Sequence, residues 1–150
     1  MVRAGEIKWK HKFLILLITV MIIAVDQMFK FLTSRLEQSI PIIKDVLHIT
    51  FVQNLGAGFG TLQGKWWFLV VISLIAFAVT FYYFLKTRKF FLEIILAILL
   101  GGILGNLIDR IVFGFVRDFI DFRIWPVFNI ADIVITISIL LLIFYFWKEK

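Results

Sequence analysis

The sequence predicts an all-α membrane protein with four transmembrane helices, and three observations support this fold class. Of its 150 residues, 62% are apolar and 17% are aromatic, whereas a soluble domain is typically about 45–50% apolar. Four long apolar runs are nearly free of charged side chains, and basic residues gather near the ends of these runs. We expect residues 1–150 to form a single integral membrane domain, because the length leaves no room for a second one.

The apolar runs are long enough to cross a bilayer, since about 30 Å of hydrocarbon takes about 20 helical residues. The predicted spans cover residues 13–29, 66–85, 90–108 and 130–147. Helices are expected because a backbone in lipid must satisfy its own hydrogen bonds. The first span begins with the apolar run from Phe13 to Val25, which also resembles a secretory signal peptide, but Asp26-Gln27-Met28 follows this run instead of a small-x-small cleavage site. We therefore interpret it as an uncleaved helix.

The distribution of basic residues predicts the orientation of the helices, because Lys and Arg are enriched in cytoplasmic loops. Both termini are expected in the cytoplasm, with the connections 31–65 and 109–129 outside. This topology and the attraction of anionic lipid account for the net charge of +6, so no nucleic-acid partner is implied. Nine of the 16 basic residues lie on the predicted cytoplasmic side: Arg3, Lys8, Lys10, Lys12, Lys86, Arg88, Lys89, Lys148 and Lys150.

The first outer connection has features of ordered structure. From Val46 to Asn54, polar and apolar residues partly alternate and β-branched residues are frequent, which predicts one or two short strands. Gly56, Gly58 and Gly60 follow within a few residues. Glycines permit positive φ angles and close approach of the backbone to a ligand.

Polar residues at membrane depth are informative, because they are costly there unless they are paired or used. All six aspartates fall on the predicted outer side, which indicates acidic chemistry at that interface. The candidate residues form four groups: Asp26 with Lys30, Asn106 with Asp109 and Arg110, Asn129 with Asp132, and Asp118 in the loop between the last two.

Each of these groups also has a purely structural interpretation. The first is typical of an ion pair at a helix end, and the second of a polar clamp between helices. Asn129 suits a helix N-cap, with Asp132 as an acidic residue in the first turn. Asp118 would be solvated in an ordinary loop. The spacing alone leaves these alternatives open.

Elimination narrows the chemistry that is available to an enzyme with this sequence. The chain has no cysteine, which excludes thiol nucleophiles, and His48 is the only histidine on the predicted outer side. A His-rich metal site is therefore excluded. A Ser–Lys pair such as Ser34 with Lys30 is a weak alternative, and paired carboxylates are the chemistry available to an enzyme at the outer interface. Two aspartates held close together in a low-dielectric site cannot both ionise, so they share one proton. The ionised member takes a proton from water, while the protonated member polarises the carbonyl and assists the leaving nitrogen.

Five motifs on this four-span chain resemble those of the lipoprotein signal peptidase (signal peptidase II) family, over nearly the whole length. The resemblance implies a bacterial membrane aspartyl endopeptidase that acts on prolipoproteins. It cuts just before the diacylglyceryl-modified lipobox cysteine and releases the signal peptide. The motifs read, in order, Asp26-Gln27-x-x-Lys30, Asn54-x-Gly56-Ala57-x-Phe59-Gly60, Gly105-Asn106-x-x-Asp109-Arg110, Val116-x-Asp118-Phe119-Ile120 and Phe128-Asn129-x-Ala131-Asp132.

By these motifs, the resemblance assigns catalysis to Asp118 and Asp132. It implies a small extracytoplasmic β-cradle beside a site that opens sideways to lipid, at the outer face of the bacterial cytoplasmic (inner) membrane. No metal and no organic cofactor is implied, and lateral entry of the substrate from membrane lipid favours a monomer. Binding and supporting roles are assigned to Asp26, Lys30, Asn54, Gly56, Asn106, Arg110 and Asn129.

Three positions depart from the family pattern. Arg117 replaces a usually apolar residue just before Asp118, and we expect its side chain to point to water. If it pointed inward, its charge would lower the pKa of Asp118. Gly58 stands where alanine is usual, and Ile133 where serine is common. None of these departures removes a catalytic group.

Two other classes of function fit parts of the sequence. An ion or lipid transporter would carry charges or broken helices near the bilayer midplane, whereas the polar residues here gather at one interface. A small membrane scaffold would use its aspartates only as caps and clamps. For a scaffold, we expect that replacing aspartates with asparagine reduces the amount of folded protein in detergent, and that no proteolytic activity is detected.

Overall fold

The structure is a computed structural model, and it describes residues 4–56 and 64–149. These ranges contain four helices, each with a segment long and apolar enough to cross a membrane. A small antiparallel sheet accompanies them, so the predicted fold class is confirmed. In chain order the elements are α1 (Ala4–Thr33), β1 (Ile40–Ile43), β2 (Leu47–Asn54), α2 (Trp66–Lys86), α3 (Phe90–Phe113), β3 (Val116–Asp121) and α4 (Ile130–Lys148).

Helix α3 lies at the centre of the bundle and packs against each of the other three helices. Glycines on α3 allow this close approach. A Cβ atom at Gly102 would lie 2.7 Å from the carbonyl oxygen of Ala131, and one at Gly105 would lie 2.7 Å from Oδ2 of Asp26. The C-terminal end of α1 and the start of α4 therefore both contact α3 directly. The buried apolar cluster of the bundle consists of Ile15, Phe84, Leu96, Ala97 and Leu100.

The C-terminal end of α3 extends past residue 108, where the sequence predicted that the span ends. The helix continues to Phe113, and Gly114 follows as its C-cap with a φ of 80°. This left-handed conformation favours glycine, which carries no Cβ. Asp109 and Arg110 consequently belong to the last turns of α3 and not to the outer connection.

The three strands form an antiparallel sheet in the order β1-β2-β3. β2 covers most of the segment that was predicted as strand, while β1 and β3 were not predicted. β3 pairs with β2 so that Val52 lies opposite Asp118 and Asn54 lies opposite Val116. In this pairing, β3 lies against the C-terminal ends of α1 and α3.

Asp118 thus lies on a strand, and the predicted loop position is wrong. Its side chain is almost fully buried, with 1% of its surface exposed, so the solvated alternative is wrong as well. β3 depends on pairing with β2, which lies far away in the sequence, and a local pattern does not report such pairing. Gly58 and Gly60 of the predicted glycine-rich segment lie outside the described residues.

Candidate active site

Asp118 and Asp132 are joined by one side chain, that of Asn129. The Asn129 side-chain amide donates a hydrogen bond of 2.5 Å to Oδ1 of Asp118. Its carbonyl oxygen accepts a bond of 2.9 Å from the backbone N–H of Asp132, and its own backbone N–H donates 3.2 Å to Oδ2 of Asp132. These last two bonds form a capping box at the start of α4. The capping interpretation of Asn129 is therefore correct, and the same residue also contacts the second carboxylate.

Two further asparagines donate to the remaining carboxylate oxygens. Asn54, at the end of β2, donates 2.8 Å to Oδ2 of Asp118. Asn106, on α3, donates 2.8 Å to Oδ1 of Asp132 and accepts a bond of 3.1 Å from the Asn129 side chain. Each of the four carboxylate oxygens therefore receives one N–H donor. Such donors hold buried carboxylates in fixed positions and satisfy the hydrogen-bonding capacity of their oxygens.

Burial is the main influence on the protonation of Asp118. Burial, followed by the neighbouring charge of Asp132, raises the pKa of this carboxyl from 3.8 to about 7. The hydrogen bonds from Asn54 and Asn129 act in the opposite direction, as does the charge of Lys30. A pKa near neutrality keeps part of the acid form present at pH 7, which suits a carboxyl pair that holds one proton.

Asp26 and Lys30 are fully buried next to this pair. The Lys30 ammonium lies 2.8 Å from Oδ2 of Asp26 and donates 3.0 Å to the side-chain oxygen of Asn106. Oδ1 of Asp26 accepts a bond of 2.9 Å from the backbone N–H of Ala131. The ion pair that the spacing suggested is therefore present, and it contacts both α3 and α4 instead of solvent.

Arg117 does not point to water, and that prediction is wrong. Only 6% of its surface is exposed, and its guanidinium contacts Asp109, with 2.7 Å between Nη2 and Oδ1. Side chains alternate between the two faces of a strand, so Arg117 faces away from its neighbour Asp118 and toward α1 and α3. A fully buried carboxylate at Asp109 requires a cation nearby, and Arg117 supplies one. The sequence of β3 carried no signal of this burial, because five of the six residues of the strand are buried, without alternation.

Arg110 and Gly56 complete the set of predicted site residues. The Arg110 guanidinium is partly buried, is close enough to Asp118 and Asp132 to interact electrostatically, and has no hydrogen-bond partner within residues 4–56 and 64–149. Its backbone carbonyl accepts a bond of 2.5 Å from the indole of Trp66. The Gly56 N–H donates 3.0 Å to the Asn54 side chain, which orients the amide that contacts Asp118.

In the part of the chain that the structure describes, no group of three or more His, Asp or Glu side chains is arranged to hold a metal ion. The site contains carboxylates, amides and buried cations. This composition is suited to acid–base chemistry by the carboxylates themselves.

Comparison with known proteins identifies the family. The family model described as Signal peptidase (SPase) II matches residues 18–148. The chain is 44% identical over 141 residues to the lipoprotein signal peptidase of Halothermothrix orenii, covering 91% of this chain and 97% of that protein. For the lipoprotein signal peptidase of Clostridioides difficile, the identity is 42% over 146 residues, with 91% and 98% covered. A solved structure described as "Bacterial membrane enzyme structure by the in meso method at 2.3 A resolution" has a TM-score of 0.84 at 35% identity, with 90% of this chain and 88% of that chain covered. This chain belongs to the signal peptidase II family, the lipoprotein signal peptidases.

Proposed function

We propose that this chain hydrolyses the peptide bond before the diacylglyceryl-modified lipobox cysteine of prolipoproteins, with Asp118 and Asp132 as its catalytic pair. The observation that carries the proposal is the arrangement of four carboxylate oxygens, each of which accepts one N–H bond in a buried site. In a pair of this kind, the two carboxyls themselves supply the acid and the base near neutral pH.

The reaction uses one ionised and one protonated carboxyl. The ionised carboxylate removes a proton from water, and the water oxygen forms a bond to the scissile carbonyl carbon. The protonated carboxyl gives its proton to the carbonyl oxygen, so the tetrahedral intermediate carries no net charge. Collapse re-forms the C=O bond, returns that proton, and breaks the C–N bond while the proton taken from water passes to the leaving nitrogen. Because coupled carboxyls titrate as a unit, the roles belong to the pair.

The other predicted residues act around this pair. Asn54, Asn106 and Asn129 fix the carboxylates by the hydrogen bonds described above. Lys30 donates a hydrogen bond to Asn106, and Asp26 accepts one from the backbone at the start of α4, so these two residues support the elements that hold the pair. The Arg110 guanidinium is available to a carbonyl or phosphate oxygen of the substrate, and the Gly56 backbone leaves room for the substrate chain beside Asn54.

The location of the pair supports an orientation in the membrane. Asp118 and Asp132 lie at the end of the bundle where α1 ends and α4 begins, opposite the basic turn between α2 and α3. We place both termini in the cytoplasm and the site at the outer face of the bacterial inner membrane, following the distribution of basic residues. The substrate helix and its acyl chains enter sideways from lipid, and a monomer that needs neither metal nor organic cofactor performs the reaction.

The substrate preference tests this function directly. Purified protein is incubated with one prolipoprotein in two forms, with and without the diacylglyceryl group, and mass spectrometry locates the new N-terminus. We expect cleavage of the modified form only, with the modified cysteine as the new first residue. Equal cleavage of both forms, or a cut elsewhere, would overturn the assignment. A folded protein that cleaves neither form, beside a family member that works, would favour the scaffold alternative.

A further inference from the structure

We propose that Arg117 is a positioning residue for the reaction, acting through a buried group of four charges that sets the separation of Asp118 and Asp132. We call this group the ion quartet, and it consists of Asp26, Lys30, Asp109 and Arg117. The inference rests on the proposed catalytic pair, since it concerns how that pair is held.

The charges of the ion quartet balance only when Arg117 is present. Asp26, Lys30 and Asp109 are fully buried, and Arg117 is nearly so. Lys30 lies 2.8 Å from Asp26 and 3.5 Å from Asp109, so one lysine serves two carboxylates. Removing one partner from a buried ion pair is costly, because the other charge stays buried and uncompensated. Arg117 is the second cation that prevents this.

The two ends of the ion quartet hold the two backbone segments that carry the catalytic carboxylates. At one end, Oδ2 of Asp109 accepts a bond of 2.9 Å from the backbone N–H of Arg117, directly before Asp118. At the other end, Asp26 accepts the backbone N–H of Ala131, directly before Asp132. Displacement of either end therefore moves one carboxylate relative to the other.

The geometry of the contacts requires an arginine. Its Nε donates 3.1 Å to Oδ2 of Asp109, and its Nη2 donates 2.7 Å to Oδ1 of the same carboxylate. Nη2 also donates 2.7 Å to the side-chain oxygen of Gln27 on α1. A planar guanidinium makes this two-point contact, whereas a lysine ammonium is a single point charge. The guanidinium of Arg117 thus fixes β3 both to α3 and to α1.

Arg117→Met tests the proposal, with Arg123→Met as the matched control. Arg123 follows β3 at its other end and pairs with Asp121 at 3.1 Å, but half of its side chain is exposed. We expect Arg117→Met to lower kcat about 100-fold with little change in KM, the cost of a displacement of about 1 Å at a reacting group. Arg123→Met should leave both constants unchanged, because exposed pairs contribute little.

Charge balance is tested by a rescue. Adding Asp109→Asn to Arg117→Met removes the uncompensated charge, while the side-chain oxygen still accepts the backbone N–H of position 117. We expect the double variant to regain part of the lost kcat, and Arg117→Lys to lie between Arg117→Met and the unmodified chain. A double variant no more active than Arg117→Met would overturn the role of charge balance.

Each outcome separates this inference from the proposed function. Wild-type kcat in folded Arg117→Met, with Asp118→Asn inactive in the same assay, overturns the inference and leaves the catalytic pair standing. If Arg117→Met does not fold in detergent, Arg117→Lys decides, and wild-type kcat in that variant overturns the inference. An unmodified chain that cleaves nothing counts against the proposed function itself.

Discussion

At the scale of single residues, Asp118 and Asp132 experience two opposing influences. Burial and then the charge of Asp132 favour the neutral form of Asp118, and they outweigh the opposing contacts, so the pKa of Asp118 is raised to about 7. Hydrogen bonds from asparagine amides favour the ionised form. The balance lets one carboxyl keep its proton at neutral pH while the other is ionised, which is the state that the proposed reaction needs.

The pH dependence of cleavage follows from this balance. The raised pKa of Asp118 means that its acid form persists up to about pH 7. Above that pH the pair loses its shared proton, and we expect kcat to fall about tenfold for each further pH unit. Rates measured in detergent between pH 5 and 9 check this. An activity that keeps rising through pH 8 would contradict a protonated carboxyl in the pair.

The Asn54 amide offers a directed test of the same balance. Its hydrogen bond lowers the pKa of Asp118, so Asn54→Ala should raise that pKa and move the alkaline fall in rate to higher pH. kcat should also decrease, because the carboxylate loses a fixing contact. Gln53→Ala, at an exposed position one residue earlier on β2, is the matched control and should change neither property. A fall in rate that moves to lower pH would refute this account.

The sequence indicated many site residues, but not all of their surroundings. The capping spacing of Asn129 and Asp132 correctly predicted a local structure that the described helix shows. The environment of Arg117 was predicted wrongly, because the burial of Asp109 beside it depends on how α3 meets β3. Gln27 was read only as part of a motif, yet it donates 3.1 Å to Asp109. Contacts between distant segments are not visible in local spacing.

At the scale of elements, the helices and the sheet differ in how far sequence determines them. A membrane helix satisfies its own backbone, so an apolar run of about 20 residues is sufficient to predict it. β3 is six residues long and is held by β2 and by a bridge from Ile120 to Phe128. Its formation depends on that pairing, and the strand was therefore missed.

Close packing of α3 gives a prediction at this scale. A Cβ at position 105 would lie 2.7 Å from the Asp26 carboxylate and 3.2 Å from Cβ of Ala131. We expect Gly105→Ala to displace Asp26 from the backbone of α4 and to destabilise the protein by about 1–3 kcal/mol, with a lower kcat. Thermal unfolding in detergent and the cleavage assay measure these effects.

Val112→Ala is the control for that experiment. Val112 lies on α3 with 63% of its surface exposed, and its truncation should leave both the unfolding temperature and kcat nearly unchanged. If Gly105→Ala behaves like Val112→Ala, the close approach of α1, α3 and α4 at this level is not what positions Asp26.

At the scale of the whole molecule, the proposed catalytic pair and the basic turn between α2 and α3 lie at opposite ends of the helical bundle. The proposed catalytic pair and the ion quartet lie at the C-terminal ends of α1 and α3 and at the start of α4. The turn between α2 and α3 carries Lys86, Arg88 and Lys89. In the topology that we propose, the end of the bundle with the site faces the outer leaflet and the basic turn faces the cytoplasm.

Thiol labelling tests this orientation, because the chain has no cysteine of its own. Lys44→Cys introduces a thiol in the outer segment, and Arg88→Cys introduces one in the α2–α3 turn, both at exposed positions. In intact spheroplasts, we expect a membrane-impermeant maleimide to label Lys44→Cys and to label Arg88→Cys only after permeabilisation. The reverse pattern would contradict the predicted topology.

The most direct test of the account is cleavage of a diacylglyceryl-modified prolipoprotein by Asp118→Asn and Asp132→Asn, with Asp121→Asn as the control. Asp121 lies on the same strand and pairs with Arg123, away from the catalytic pair. We expect each of the first two variants to fold and to lose about 10²–10⁴-fold in kcat, the control to stay active, and EDTA to leave the unmodified chain active. Full activity of either Asp118→Asn or Asp132→Asn would contradict catalysis by an aspartate pair.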